Sequence, residues 1–436
     1  MDSLSGNRIR IHTTLSLMEV NSLLVYIINQ HNRPLMPCSP RRARILLKQK
    51  KAKCIRRTPF TIKLLHGSSG YVQKLVVAVD SGSKTVGSAV RSEQNKIYYL
   101  SEVGLRQDIK NKMDQRRMYR RNRRARKTRY RKARFLNRSN SIKTGRYPPT
   151  LRSKYETTLK EITFTSKILP VKDLIIETGT FDPHALQNPS VRYCLWLYQK
   201  GVQFGFYNTK AYVLSRDNYT CQYCKNKRKS KKLHVHHILS RSNCGSDRPN
   251  NLITLCDLCH HDLHQGLISL TKKQLKSTLN HATHMNILQS MLRKNVAFTE
   301  TYGYITKAIR EYFGIVKSHA YDAACIGIET DIIPEFITNS ILLKQSVAKG
   351  TYQRTHGIRS EKLFPKDKIH GFKRWDKVLY DTQEYFIKGR MSHGYAVLSN
   401  VYGNKIDLHP IPKFSKMKRL SARKSWIMTE DHIQST

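Results

Sequence analysis

Acidic residues are scarce: 30 Asp and Glu stand against 79 Lys and Arg in 436 residues, a formal net charge of +49. A surface so unbalanced repels itself, which excludes an ordinary solubility role for the charge and calls for a polyanion whose phosphates would neutralise it. Long apolar runs are also missing. No uncharged stretch approaches the ~18 residues of a membrane span, so none is expected. The most apolar stretch near the start, residues 20–28, follows Glu19, contains Asn21 and has no small-residue cleavage site after it. It reads as a strand or short helix rather than a secretory signal, with an organellar leader as the lesser alternative. Closely spaced cysteines are few. Of nine, only Cys221/Cys224 and Cys256/Cys259 are near neighbours, which argues against a disulfide framework and for a metal site in a reducing compartment. No internal repeat is visible. The 39% apolar content still suffices for real cores, so a purely disordered basic chain is excluded, and the length suggests roughly two to four domains.

What is present begins with Ser39-Pro40, an N-cap followed by proline at the first helical position. The helix expected from Arg41 to about Lys53 is rich in base, and residues 41–57 hold nine Lys and Arg without an acid. Residues 75–79 are continuously apolar and end at Asp80, the pattern of a buried central strand. Turns at residues 81–84 and 93–96 lead to further strands at 86–90 and 97–100, a three-stranded meander. Residues 106–134 then carry fifteen Lys and Arg against two Asp, with no Pro or Gly and no apolar stripe at helical spacing. A helix there would repel itself unless phosphates surrounded it. Its arginines, Arg116, Arg117, Arg120, Arg121, Arg123, Arg124, Arg126, Arg129 and Arg131, suit bidentate phosphate contact.

Further along, Ser153-x-x-Glu156 has the form of a capping box for a helix reaching about Lys167. Residues 174–176 form another apolar strand ending in Glu177. After a Cys/His-rich module at 205–265, helices run to about residue 328. Short β-like stretches at 377–380, 384–387, 395–399 and 406–408 suggest a small barrel.

Two CxxC pairs separated by 31 residues can close a tetrahedral zinc site through Cys221, Cys224, Cys256 and Cys259. By themselves they would indicate a zinc ribbon. The added His236-His237, Asn251 and His260 make the segment resemble the HNH (ββα-metal) nucleases. That resemblance implies His237 as general base, His236 and His260 as ligands of one Mg2+, and Asn251 as the residue that holds the loop orienting the base. His234, His261 and His264 are expected at the surface or on phosphates.

Asp80 and Glu177 both end apolar strands, and His319-x-x-Asp322 puts two more polar groups on one helical face. Each alone is a weak signal, and Asp182 is a further carboxylate, expected to be structural. Their order resembles a RuvC-like, RNase H-type nuclease, which implies Asp80, Glu177 and Asp322 as ligands of two Mg2+ and His319 as the group that positions or activates water. The sequence Asp80, arginine helix, Glu177, HNH module, His319/Asp322 resembles the IscB family, transposon-associated relatives of RNA-guided CRISPR effectors. Residues 34–37 (Pro-Leu-Met-Pro), Phe181-Asp-Pro with Asn188-Pro, and Thr306-Lys before Lys317-Ser-His319 add to the likeness.

The resemblance implies an α/β multidomain chain whose RNase H-like (RuvC) fold is split by an arginine-rich bridge helix and an inserted HNH domain, with a small C-terminal β-barrel-like domain. Expected boundaries are 1–30 (extension), 31–70 (basic domain), 71–105, 139–204 and 269–345 (RuvC-like segments), 106–138 (bridge helix), 205–268 (HNH) and 346–436 (C-terminal domain). It also implies a monomeric ribonucleoprotein with a structured guide RNA that cuts double-stranded DNA beside a short adjacent motif. Arg359, Lys373, Arg374, Lys388 and Arg390 are candidate nucleic-acid contacts in the C-terminal domain. The expected compartment is the bacterial cytoplasm, although a chloroplast or another organelle fits the same sequence. A homing-type HNH endonuclease without guide RNA would explain the zinc module, and a non-catalytic basic RNA-binding protein the charge; neither needs the strand-end carboxylates.

Overall fold

The computed structural model describes residues 24–67, 69–125, 147–228, 230, 232–241, 245–270, 279–348 and 368–432. It divides into one unit formed by Met1–Gly179 with Ile287–Thr436 and a second formed by Thr180–Asn286.

The first unit starts with a four-stranded sheet. β1 (Val25–Ile28) pairs antiparallel with β2 (Pro34–Cys38); α1 (Pro40–Lys48) and β3 (Ala52–Arg56) follow, and β4 (Thr61–Leu64) inserts between β1 and β3. The apolar stretch near the start is therefore a strand, buried throughout, and it lies within the residues 1–30 expected as an extension. Ser39 caps α1 by accepting the Arg42 N–H at 3.5 Å, and Pro40 occupies the first helical position. The helix stops at Lys48 instead of continuing to residue 53, because residues from Ala52 onward pair with β4. Ala43 alone on this helix is buried, and it packs with Val25, Ile27, Leu35 and Ile62.

β5 (Leu75–Ser81), β6 (Thr85–Ser92) and β7 (Lys96–Gly104) form the expected antiparallel meander. α2 (Ile109–Ala125) is the described part of the arginine-rich segment; Arg126, Arg129 and Arg131 lie outside the described residues. α3 (Pro149–Thr165) begins four residues before Ser153. Proline at its first position starts it without a side-chain cap, so Ser153 sits inside the helix and Glu156 instead pairs with Arg152 at 2.8 Å. β8 (Val171–Thr178) then lies parallel to β5.

In the second unit, α4 (Pro183–Gln187) and α5 (Thr209–Arg216) precede an antiparallel hairpin of β9 (Leu233–His237) and β10 (Leu252–Cys256), which leads directly into α6 (Asp257–Gln265). Asp182 is structural as expected: it caps α4, accepting the N–H groups of His184 and Ala185. α7 (Asn280–Asn295) carries the chain back to the first unit.

There, β11 (Thr299–Tyr302) pairs parallel with β8, followed by α8 (Gly303–Tyr312) and α9 (His319–Cys325). β12 (Glu335–Phe336) and β13 (Ser340–Ser346) both run parallel to β7. β14 (Lys377–Tyr380), β15 (Gln383–Arg390), β16 (Ala396–Ser399), β17 (Lys405–Ile406) and β18 (Lys418–Ser421) make an antiparallel sheet in the order β17-β16-β15-β14-β18. Its predicted strands all form, and among the described residues no pairing joins β17 to β18. β19 (Trp426–His432) leaves this sheet to pair with β13, giving the large sheet the order β11-β8-β5-β6-β7-β13-β19.

The large sheet is covered on both faces. Ala320, Ala323 and Ala324 of α9 pack on Ala89, Ile97 and Leu100. Alternation turns Ser88, next to Ala89, to the other face, where α3 contributes Glu161. Glu161 is fully buried and accepts from Ser88, Tyr99 and Ser101 at 2.7–2.8 Å, while Lys344 of β13 donates to both its oxygens at 2.8 and 2.7 Å. Burial opposes the charge on Glu161, but the Lys344 ammonium and these donors hold its carboxyl below the usual range. No described helix is long and apolar enough to cross a membrane.

Candidate active sites

Asp80 and Glu177 are register partners at the ends of β5 and β8. The residues just before them, Leu75–Val79 on β5 and Leu174–Ile176 on β8, are apolar because both strands lie inside the sheet; the carboxylates come where the strands emerge. α9 brings the other two predicted groups. His319 Nδ1 lies 2.5 Å from Asp80 Oδ2, and Asp322 forms an ion pair with Arg310 at 2.8 Å. Two features of β6 and β7 seat this helix. Gly87 lets it approach, since a Cβ there would fall 1.8 Å from the His319 carbonyl oxygen, and Glu102 accepts the Ala320 N–H at 3.2 Å.

The electrostatics of the site are those of crowded anions. Burial and then the Asp80 charge push the Glu177 carboxyl up to about 7, with Asp322 adding to the effect. Burial and Asp80 likewise raise Asp322. The hydrogen bond to Asp80 raises His319. Oxygen donors that raise one another's proton affinity fit a hard divalent cation such as Mg2+, which would relieve them. As a set, though, they are not drawn within 4.8 Å of one another, unlike the cysteine and histidine groups of the second unit.

In the second unit, the sulphurs of Cys221, Cys224, Cys256 and Cys259 all lie within 4.8 Å of one another, and Cys224 and Cys256 are 3.7 Å apart. Tetrahedral zinc with Zn–S of ~2.3 Å requires a sulphur separation of roughly 3.8 Å, so the donors fit zinc. Three of the four cysteines are buried with Ile253 and Leu255, in the small core that the hairpin alone would not supply. Burial raises the Cys256 and Cys259 thiols. It also acts on Cys224, where the Arg228 backbone N–H and the neighbouring thiols outweigh it and bring the thiol down to about 6.

β9 and α6 assemble a second cluster, in which the ring nitrogens of His236, His260 and His264 lie within 4.8 Å of one another. His236 Nδ1 is 2.8 Å from the His237 carbonyl oxygen, which only accepts; Nδ1 therefore carries the proton and Nε2 keeps its lone pair. The Nε2 atoms of His260 and His264 face each other at 3.3 Å. Burial and the neighbouring imidazoles lower the proton affinity of His260, and burial lowers that of His236, so both favour the neutral, ligating form.

His237 points elsewhere, with Nε2 2.8 Å from Asp247 Oδ1. Asn251 is buried and ties three strands of backbone together: it donates to the carbonyls of Leu239 and Ser246 and accepts the Leu239 N–H. The loop between β9 and β10 is thus closed beside His237.

Sequence reasoning put His264 at the surface or on phosphates. It is exposed, yet it completes the histidine cluster one helical turn after His260, and that i,i+4 spacing was the available signal. His234 stacks on His260 at 4.5 Å and pairs with Asp257, while His261 contacts Gln265. Asp247, Glu102 and Arg310 also escaped the sequence, since nothing local marks them. Arg116, Arg117, Arg120 and Arg121 lie on α2, with Arg123 and Arg124 on its last turn.

Residues 25–201 match the family model for the RRXRR protein, and residues 221–266 match that for the HNH endonuclease. No curated protein matches the chain. The chain therefore carries an HNH endonuclease domain with a four-cysteine cluster able to hold zinc, and both families point to nucleic acid as its partner. An RRXRR segment followed by an HNH domain matches the architecture of the IscB family.

Proposed function

We propose that the chain is an RNA-guided DNA endonuclease with two cutting sites. The observation that carries this reading is the convergence of Asp80, Glu177, His319 and Asp322 on one face of one sheet, from segments separated by the arginine helix and the HNH module. A homing-type HNH enzyme needs no such convergence. The order β7-β6-β5-β8-β11, an antiparallel meander extended by two parallel strands, supports an RNase H-like (RuvC) reading of this part.

At the HNH site, His237 is the general base. Asp247 at its Nε2 fixes the tautomer in which Nδ1 is free of its proton, and Nδ1 takes a proton from water. Asn251 keeps that ring's loop closed. His236, His260 and His264 would hold a divalent cation. This all-nitrogen set suits Mn2+, Co2+, Ni2+ or Zn2+ better than the Mg2+ implied by resemblance. At the other site, Asp80, Glu177 and Asp322 would hold Mg2+, and His319, held against Asp80, positions water. At either site a cation would supply positive charge beside the scissile phosphate and the leaving oxygen.

In this account the HNH site cuts the guide-paired strand and the carboxylate site the displaced strand. The arginines of α2 grip guide-RNA phosphates, and the C-terminal sheet, completed as a small barrel, reads the adjacent duplex motif. The test is to sequence nucleic acid that co-purifies with the full chain. One defined, structured RNA supports the proposal, and protein that cuts a fixed DNA site without RNA favours the homing-type reading.

A further inference from the structure

β11 runs beside β8 with Thr301 opposite Glu177, and α8 begins two residues later at Gly303. Gly303 stands so close to the Glu177 carboxylate that a Cβ there would fall 2.7 Å from Oε1. Thr306 and Arg310 follow on the same side of the helix. With Ile309 they are the buried residues of α8. Ile309 packs with Cys325, the last residue of α9, and with Ile328, so this face is fixed against the helix that carries Asp322.

Apolar packing accounts for Ile309 but not for its neighbours. Thr306 is 2% exposed and Arg310 9%, and a hydroxyl or a guanidinium is buried only where something engages it. Here the two groups meet carboxylates. Burial and then Asp80 push the Glu177 carboxyl up, and a hydrogen bond from Thr306 works against them. Arg310 Nε lies 2.8 Å from Asp322 Oδ1, and its Nη1 donates to the Ile315 carbonyl at 3.3 Å. Thr306 Oγ1 and Arg310 Nε nevertheless make no well-aligned hydrogen bond, two of five buried side-chain atoms so left among the described residues. A buried donor out of alignment costs stability. Two of them one helical turn apart, each beside a carboxylate, point to a role at that site.

We infer that Thr306 and Arg310 are positioning residues of the carboxylate site, Thr306 for Glu177 and Arg310 for Asp322. Each engages one oxygen of its carboxylate and leaves the other to take a divalent cation. His319 treats Asp80 in the same way, with Nδ1 on Oδ2. A carboxylate engaged at one oxygen cannot swing away from the ion, which is how groups around metal ligands raise affinity without touching the metal. This role rests on the carboxylate reading above and extends it from the ligands to the helix that aims them.

The test titrates Mn2+ alone into the zinc-loaded full chain carrying His260→Ala, which removes the histidine cluster as a competing site. Free Mn2+ is followed by electron paramagnetic resonance. Thr306→Val keeps the shape and loses the hydroxyl; it should weaken Mn2+ binding by about tenfold, and Thr306→Ser should return it to within about twofold. Arg310→Lys keeps the charge, loses the fork, and should also weaken binding by about tenfold. A merely structural role would lower the unfolding temperature and leave the affinity unchanged. Asp80→Asn separates the positioning role from the reading it rests on. If Asp80→Asn abolishes Mn2+ binding while Thr306→Val and Arg310→Lys bind like the parent, the positioning role is wrong and the carboxylate site stands. If Asp80→Asn itself binds Mn2+ like the parent, the carboxylate site fails and the positioning role with it.

Discussion

Asp80 and Glu177 face each other as register partners on adjacent parallel strands, so their side chains leave the sheet on the same face and at the same level. Each makes ionisation of the other harder, and His319 from α9 already leans on one of them. The site thus depends on where α9 sits, and α9 sits where β6 has no side chain.

Gly87→Ala should therefore disable the carboxylate site from outside it. Its new Cβ would meet the His319 backbone, which cannot swing aside, and α9 must lift. A displacement of about 1 Å at a reacting centre costs roughly 100-fold, so displaced-strand cutting should fall by that order while HNH cutting is spared. Strand-resolved gels on the variant check this; equal loss on both strands would indicate general unfolding instead.

His264→Ala should weaken a divalent cation at the histidine cluster without disturbing the fold, because His264 is exposed. Groups that merely orient a ligand are worth about 10–100-fold in metal affinity, so a direct ligand should cost at least as much. Calorimetric titration with Co2+ of zinc-loaded Asp80→Asn protein, with and without His264→Ala, measures the difference. Equal affinities would remove His264 from the ligand set.

Chelating zinc should unfold the second unit's metal module before anything else. Cys221, Cys256 and Cys259 form its core with Ile253 and Leu255, and four thiols without a metal leave that core unheld. Paired-strand cutting should vanish first, with displaced-strand cutting outlasting it. Circular dichroism and strand-resolved cleavage during chelator titration report the order of loss.

Glu161→Gln should cost roughly 3–5 kcal/mol, because it leaves the Lys344 ammonium buried without its counter-charge. The acid dependence follows from the direction of the shift. The carboxyl of Glu161 lies lower in the folded chain than in the unfolded one, so its stabilisation is complete above the unfolded value and is lost as pH falls through the folded value. Urea unfolding across the acid range should show that loss in the wild type and a flatter profile in Glu161→Gln.

Much of this molecule was readable from local pattern. The apolar run ending at Asp80, the Ser39-Pro40 helix start, the CxxC pairs and the β-strands after residue 376 all appear where their own residues placed them. What was not readable depended on distant partners. Glu161 looks like any acid on an amphipathic helix until Lys344, 183 positions later, closes on it. β19 looks like part of the C-terminal sheet until it pairs with β13. Ser153-x-x-Glu156 has the form of a cap, but the Pro148-Pro149 step upstream starts the helix first. His264 was ambiguous because its one local signal, the i,i+4 spacing from His260, does not separate a ligand from a surface group until His236 of β9 is placed beside both.

The central claim is the division of labour between two sites under one guide RNA, and strand-resolved cleavage by the purified ribonucleoprotein tests it most directly. Wild-type protein should cut both strands of a matched duplex. His237→Ala should nick only the displaced strand, and Asp80→Ala only the guide-paired strand. Cutting of both strands by His237→Ala would contradict the account.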